Sequence, residues 1–449
     1  MNTDMTVGKP SKVLFKFSVP LFVSVAFQQF YSIADSMIAG NFIPNGEAAL
    51  AAISSSYPVT MLFIAVATGL NAGCSVICSN LFGSRHFGRL RTAVSTSYIA
   101  IAVISVLLGA LGILFSPQMI AALNTPAEVF DDSCLYLNIY SLGMPFLFFY
   151  NVCNGVFTAF GDSRTPLWLL IGSSVGNIVL DLVSVICLSM GIAGVAWATF
   201  IAQGVSAVLA FIILNVRVKK LPEEGSPQLF SWKMLGKISV VAIPSILQQS
   251  FVSVGNLFIQ GIINSYGTAA MAGYSAAIKL NTFVVTSVAT MSNGMANFTA
   301  QNIGAGKLDR VVSGFRTSVV MSACVCLPIS ALYLIFGGQL VGLFMESTDG
   351  AAVGIGYDFL LIVAPFYFAV TAKLNCDAVL KGAGAMIYFV ITTFTDLILR
   401  VVLAYIFSGP VGMGLNGVWW SWPIGWCVSA ALSVCFYFFG NWKKHAHAI

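Results

Sequence analysis

The chain carries very little charge for its length. Only 8% of its 449 residues are Asp, Glu, Lys or Arg, against about 25% in a typical soluble domain. Hydrophobic residues make up 58%, and their runs are continuous, so the period-two alternation of an outer-membrane barrel is missing. These deficits exclude a soluble globular protein and a membrane β-barrel, and they predict an all-α integral membrane protein.

Groupings of metal-binding or catalytic residues are also missing. The three histidines, His86, His445 and His447, fall at predicted membrane edges, and the ten cysteines lie within or beside apolar segments without nearby histidines. The segment "GAGKLD" at 304–309 lacks the Ser or Thr that should follow Lys307 in a phosphate-binding loop. We therefore expect no enzyme activity, no cofactor and no metal.

Apolar segments fill most of the chain. A membrane-spanning helix needs about 20 such residues, and the longest polar stretch, "VRVKKLPEEGSPQLFSWK", lies halfway along. We predict an N-lobe of six helices at 1–215, a cytoplasmic linker at 216–233 and a C-lobe of six helices at 234–449. The twelve segments begin near Val13, Leu50, Thr92, Val129, Pro166, Ile192, Met234, Ala269, Val311, Ala352, Met386 and Leu415.

Basic residues predict the orientation of these helices. They fall at the two termini and in every second connection, such as 83–91, whereas the other connections carry acids such as Glu128 and Asp131. By the positive-inside rule both termini are cytoplasmic. We expect a multi-pass protein of the cytoplasmic (inner) membrane, and the net charge of +5 reflects this topology and no nucleic-acid partner.

The sequence contains an internal duplication. At an offset of 221 residues, "QQFYSIADSMIAGNFIPNGEAALAAIS" aligns with "QSFVSVGNLFIQGIINSYGTAAMAGYS", and the same register pairs Gly73 with Gly294 and Arg89 with Arg310. Because each copy holds six helices, the second copy enters the membrane in the same direction as the first. Transporters built from parallel repeats bind substrate near the midplane between the halves, so the duplication predicts a transporter.

Two acids interrupt the apolar helices of the first half. A carboxylate at the centre of a membrane helix costs about 2.5 to 3.5 kcal/mol, yet Asp35 lies within "FYSIADSMIAG" and Asp181 within "GNIVLDLVSV". Asn177 lies four residues before Asp181, on the same helical face. A low dielectric disfavours the ionised form, so these carboxyls can load and release a proton. The alternative is a protonated carboxyl that makes only a packing hydrogen bond.

The second half has a different set of charges within or near its helices. Two pairs, Lys373 with Asp377 and Asp396 with Arg400, have i,i+4 spacing, and Lys279 is a further cation. Such pairs either neutralise each other or form a cluster that rearranges during transport. The sequence leaves both interpretations open.

Several of these positions resemble the multidrug and toxic compound extrusion (MATE) family, and within it the DinF-like branch. In that family the first helix carries a proline and, fifteen residues later, an acid. The cation site of the N-lobe also uses an asparagine on the fourth helix, an N-x-x-x-D pair on the fifth and a threonine on the sixth. The matching positions are Pro20, Asp35, Asn154, Asn177, Asp181 and Thr199.

The resemblance covers essentially the whole chain. It implies an antiporter that exports amphipathic, cationic organic compounds by alternating access, in exchange for protons or sodium. Asp35, Asn154, Asn177, Asp181 and Thr199 would couple the ion. The NorM-like branch adds acids in the C-lobe, but the charges on the tenth helix here have a different register, so a second ion site is not expected.

The resemblance also makes Pro20 a candidate hinge, since the first helix of the family is proposed to bend at its proline. The alternative is a helix-entry proline without that role. Adaptable methionine and aromatic side chains are candidates for a substrate cavity, or else they pack in the core or against lipid. These candidates are Met37, Met61, Phe148, Phe149, Tyr150, Phe157, Met291 and Met295.

The expected partners are a small organic substrate and the lipid bilayer, with the chain acting as a monomer. The alternative function is a flippase of lipid-linked or polyprenyl precursors. Such a protein needs a strongly basic central cavity for pyrophosphate, whereas the first half of this chain offers acids.

Overall fold

The computed structural model describes residues 4–43, 46–344 and 350–445, and nearly all of them are helical. The helices of the first half are α1 (Pro10–Phe42), α2 (Gly46–Gly83), α3 (Phe87–Leu114), α4 (Ser116–Ala122), α5 (Ala127–Leu142), α6 (Met144–Ala159), α7 (Arg164–Leu182) and α8 (Gly191–Lys219). Those of the second half are α9 (Trp232–Asn264), α10 (Thr268–Gly304), α11 (Leu308–Gly342), α12 (Gly350–Val363), α13 (Tyr367–Gly382), α14 (Met386–Ser408), α15 (Leu415–Phe439) and α16 (Trp442–His445).

The predicted membrane segments all coincide with helices. α5 and α6 together form one segment, bent by 48°, and a short 3₁₀ turn joins α12 to α13. Within the described residues, ten helices are long and apolar enough to cross a membrane, or eleven if the bent pair counts as one span. α10 is a further 37-residue helix that is richer in Ser, Thr and Asn. The all-α membrane fold is therefore confirmed.

The chain divides into two compact units whose bounds differ from the predicted lobes. One unit contains Val19–Ser250, and the other contains Met5–Ser18 together with the chain from Phe251 onward. α1 therefore changes unit after Ser18, and α9 changes unit after Ser250. The predicted lobe boundaries did not include these two exchanges, because hydropathy marks where a helix lies in the chain and not which helices it packs against.

Hydrogen bonds explain why the N-terminal segment belongs to the second unit. The Met5 N–H donates to Gln301 Oε1 at 3.0 Å, and Asn302 Nδ2 donates to the Met5 carbonyl at 3.2 Å. Arg310 donates to the Gly8 carbonyl at 2.6 Å. Since α10 and α11 supply all three partners, Met5 and Gly8 are hydrogen-bonded to the second repeat.

Each unit has its own apolar core. In the second unit the core is aromatic: Tyr274 stacks on Trp419 with 5.6 Å between ring centroids, and Phe359 meets Trp419 edge to face at 5.1 Å. In the first unit, one core cluster joins the end of α1 to α2, α5, α8 and the turn after α7. Its buried members are Ile38, Ala39, Ile43, Ala49, Ala52, Val129, Val185, Ile192 and Val195.

A buried ion pair fixes the turn between α6 and α7. Gly161 adopts a φ of 70°, a conformation that suits glycine, and places Asp162 at the start of α7. Asp162 Oδ1 accepts the N–H groups of Arg164 and Thr165 at 3.0 and 3.1 Å, and Oδ2 accepts the Thr165 hydroxyl and the Arg217 guanidinium. Burial opposes ionisation, but the bonds from Thr165 and Arg217 outweigh it and lower the pKa of Asp162.

Asp162→Asn is therefore expected to lower the free energy of unfolding at pH 7 by about 2 kcal/mol, since Arg217 loses its charged partner. Because the folded-state pKa is depressed, this contribution is fully present above the ordinary pKa of 3.8 and is lost as the pH falls through the folded-state value. Thermal unfolding of the two proteins in detergent between pH 7 and pH 3 measures the difference. The exposed Asp131→Asn is the matched control, and equal stability of Asp162→Asn and wild type at pH 7 would contradict the role of the pair.

Candidate functional site

Two acids from different helices meet inside the first unit. Asp35 lies near the end of α1 and is half-buried, whereas Asp181 lies at the end of α7 and has no exposed surface. Their carboxyl groups lie close enough to interact electrostatically with each other. Two carboxylates repel at this separation, and a proton or a cation held between them relieves the repulsion.

Three of the four carboxyl oxygens of these acids, both of Asp181 and Oδ1 of Asp35, have no hydrogen-bond partner among the described residues. Asn177, one turn before Asp181 and only 2% exposed, also has no partner for its amide nitrogen or oxygen. Buried polar atoms are nearly always satisfied, so this cluster is arranged to receive something other than a protein group.

Two tyrosines complete the surroundings of the acid pair. The Tyr31 hydroxyl lies near Thr199 and close enough to both acids to interact with them electrostatically. Tyr136, on α5, also interacts with both. Sequence reasoning missed both tyrosines. Tyr31 precedes Asp35 by four residues and could have been found from that spacing, whereas nothing in the sequence marks Tyr136.

The site lies towards one end of the unit. Asp35 comes about two turns before the end of α1 and Asp181 lies at the end of α7, whereas Tyr136 and Thr199 come about two to three turns after the starts of α5 and α8. These four helix ends are on the side opposite to the start of α1. α7 then continues as a π-helical turn, Val183–Cys187, an irregularity that is frequent at functional sites.

A small cavity adjoins the cluster. It is lined by Tyr136, Thr199 and neighbouring residues of α5 and α8, and its volume is about 10 Å³, roughly the room that one water molecule needs. Tyr136 and Thr199 are themselves part of the acid cluster. The cavity therefore lets a single water molecule approach the site.

Two further predicted residues have different surroundings. Asn154 is half-buried on α6, and its carbonyl accepts a hydrogen bond from Thr158 at 3.1 Å; its role in the cation site stays a prediction. Pro20 lies within a continuous α1, and Ser24 donates to its carbonyl at 2.9 Å. α1 changes unit after Ser18, so the backbone bond that Pro20 cannot make is missing close to that point.

Comparison with known proteins decides the family. The MatE family model matches this chain twice, at residues 20–183 and 244–406. The chain belongs to the MatE family. The double match confirms the internal duplication and the resemblance derived from the sequence, and it indicates a membrane transporter and no catalytic family.

Relatives and solved structures extend over nearly the whole MatE chain. The probable multidrug resistance protein YpnP of Bacillus subtilis (strain 168) is 27% identical over 441 residues, 98% of this chain and 97% of its own. The multidrug export protein MepA of Staphylococcus aureus (strain NCTC 8325 / PS 47) is 25% identical over 448 residues, 95% and 93% of the two chains. A crystal structure of MATE in the straight conformation shares the fold, with a TM-score of 0.89 at 22% identity over 100% of this chain and 98% of its own.

Several of the predicted cavity residues of this MatE protein pack in its core. Phe148, Phe157 and Met295 have no exposed surface, and Met291 is only 6% exposed. Phe149 stacks on Tyr98, with 5.8 Å between centroids. The substrate-cavity role of these residues stays a prediction. Met37 is exposed, and Met61 and Tyr150 are half-buried.

The i,i+4 spacing of the charges in the second MatE repeat suggested two ion pairs, and one of them is present. Lys373 Nζ lies 3.0 Å from Asp377 Oδ2 and 3.9 Å from Asp396 Oδ2. Arg400 forms no ion pair with Asp396 within the described residues; its guanidinium lies over the Trp422 ring, 4.3 Å from the centroid.

Lys279 lies apart from these four residues. It is exposed, and its ammonium is 5.6 Å from the centroid of the Phe344 ring. The predicted cluster therefore consists of Lys373, Asp377 and Asp396, with Arg400 beside it.

Proposed function

We propose that this MatE transporter is a secondary active antiporter that exports amphipathic, cationic organic compounds in exchange for protons by alternating access. The acid pair carries the proposal, because Asp35 and Asp181 lie close together and three of their four carboxyl oxygens have no hydrogen-bond partner among the described residues. The names of YpnP and MepA, a multidrug resistance and a multidrug export protein, support the substrate class.

The acid pair acts as the coupling device. A proton held between Asp35 and Asp181 removes their repulsion, and its release restores it, so the two proton states favour different arrangements of α1 and α7. An ion shifts a conformational equilibrium only through such a difference in affinity. Pro20, close to the point where α1 changes unit, is the position at which α1 bends.

The orientation of the chain in the membrane indicates the side from which protons enter. With the termini in the cytoplasm, the ends of α1 and α7 that carry the acids lie nearer the outer face of the cytoplasmic membrane. Protons therefore enter from outside. Exchange of one proton for one monovalent cation moves no net charge, so the pH difference supplies the energy: one pH unit yields about 1.4 kcal/mol, as much as a tenfold substrate gradient requires.

Sodium is the second candidate for the coupling ion. Asp35, Asp181, Asn177 and Thr199 offer oxygen atoms, which hard cations prefer as ligands. The flippase alternative is not favoured, since the charged side chains found at this site among the described residues, Asp35 and Asp181, are acids.

Transport in vesicles tests the proposal. The purified protein is reconstituted in liposomes, and a fluorescent organic cation is followed under an imposed pH gradient or an imposed sodium gradient. We expect the pH gradient alone to drive accumulation several-fold above that in empty liposomes, and the sodium gradient alone to drive none. Accumulation driven only by sodium would contradict proton coupling, and accumulation driven by neither gradient would contradict antiport.

A further inference from the structure

A buried cluster in the second unit has no role in the proposed coupling. Lys373 and Asp377 lie one turn apart on α13, and Asp396 lies on α14. The side chains of Lys373, Asp377 and Asp396 are 5%, 3% and 13% exposed. The Lys373 ammonium lies between the two carboxylates, 3.0 Å from Asp377 Oδ2 and 3.9 Å from Asp396 Oδ2. One ammonium therefore contacts two acids.

Hydroxyl groups hold one of the carboxylates in place. Asp377 Oδ1 accepts the Thr392 hydroxyl at 2.9 Å and the Ser433 hydroxyl at 2.7 Å, so helices α13, α14 and α15 all contribute to its position. Gly425 leaves room beside the second carboxylate, since a Cβ there would lie 3.0 Å from Asp396 Oδ1. Asp377 is thus held by the surrounding helices and not by Lys373 alone, whereas Oδ1 of Asp396 has no hydrogen-bond partner among the described residues.

The nearby guanidinium does not replace the ammonium. Arg400 lies over the Trp422 ring and, within the described residues, forms no ion pair with either acid. Buried charges persist only when they are paired. If Lys373 were removed, two buried carboxylates would share a space that contains oxygen atoms and no cation in contact with them.

We propose that the Lys373 ammonium occupies a monovalent-cation site formed by Asp377 and Asp396, so that this half of the protein carries its own tethered cation. Carboxylate and hydroxyl oxygens are ligands for hard cations, and an ammonium is a compact point charge. Because Lys373 is attached to the chain, its effective concentration exceeds that of any free ion. The site therefore takes no cation from solution.

The two repeats differ accordingly. At the 221-residue offset, Asn256 aligns with Asp35 and Val402 aligns with Asp181, so the acids of the first half are not repeated. The first half holds two acids without a cation, and the second holds two acids with a built-in one. The statement that ions from solution couple only at the first half rests on the proposed function. The occupancy of the second site by Lys373 does not.

The dependence of thermal stability on the cation in solution tests whether Lys373 occupies the site, without a measurement of transport. All proteins carry Asp35→Asn, so that no cation effect can come from the first acid pair. Thermal unfolding of this parent and of its Lys373→Ala derivative is compared in choline, sodium and methylammonium chloride at equal ionic strength. The parent is expected to unfold at the same temperature in all three salts. The derivative is expected to be less stable in choline and to gain several degrees as sodium or methylammonium is raised.

Lys279→Ala in the same parent is the control, since Lys279 is an exposed lysine of the same half with its ammonium over the Phe344 ring; it should gain no cation dependence. If the Lys373→Ala derivative yields folded protein only when it is purified with methylammonium or sodium, that result also supports the site. The proposal would be overturned if no cation raised the unfolding temperature of the Lys373→Ala derivative, or if no cation allowed folded derivative to be purified.

Discussion

Replacement of Asp181 with Asn is expected to abolish substrate accumulation driven by a pH gradient, reducing it to the level of empty liposomes. The substitution preserves the size of the side chain but removes the group that binds the proton, so the two proton states no longer exist. Asp35→Asn should have the same effect, because either substitution leaves a single carboxyl without the repulsion that drives the change. Accumulation of a fluorescent organic cation in vesicles measures both.

Asp358→Asn provides the matched control for these variants. Asp358 is also an acid within an apolar segment, but it is exposed on α12 and should retain the transport of wild type. Monodisperse elution in detergent establishes that each variant is folded. Transport by Asp181→Asn at the rate of wild type would show that the acid pair does not couple the ion.

Asp377→Ala is expected to lower the free energy of unfolding by about 3 kcal/mol, the largest stability effect that we expect. It leaves the buried Lys373 with only the longer contact to Asp396, and it removes the acceptor of the Thr392 and Ser433 hydroxyls. Removing one partner of a buried pair typically costs about 3–5 kcal/mol. Thermal unfolding in detergent measures the loss.

The triple variant Lys373→Met/Asp377→Ala/Asp396→Asn should recover part of this loss. It removes the ammonium together with both carboxylates that it contacts, so no charge of the cluster is left buried without its partner, whereas Asp377→Ala alone leaves Lys373 with only its longer contact to Asp396. Unfolding of Asp377→Ala within about 1 kcal/mol of wild type, or a triple variant less stable than Asp377→Ala, would contradict a structural role for the cluster.

Hydropathy and self-alignment sufficed to predict the architecture. Continuous apolar runs identify the membrane helices, and the match of Gly73 with Gly294 and Arg89 with Arg310 reveals the duplication, which the double family match confirms. The sequence could not show that Met5–Ser18 packs with the second repeat. That placement depends on bonds from Met5 and Gly8 to residues almost 300 positions away.

The candidate site was only partly predictable. Carboxyls are so rare in these helices that Asp35 and Asp181 stand out, and the structure brings them together. Tyr136 does not stand out among the 14 tyrosines, and its place beside the acids depends on how α5 packs. Arg400 shows the opposite failure, since its i,i+4 spacing from Asp396 suggested a pair but the guanidinium lies over Trp422.

Proton release on substrate binding tests the coupling most directly. The purified protein is held in a weakly buffered detergent solution, an organic cation is added, and the pH change is recorded together with binding. Wild type is expected to release protons as the cation binds, and Asp181→Asn is expected to release none. If wild type binds the cation without releasing protons, or if Asp181→Asn releases as many as wild type, the acid pair is not the coupling site.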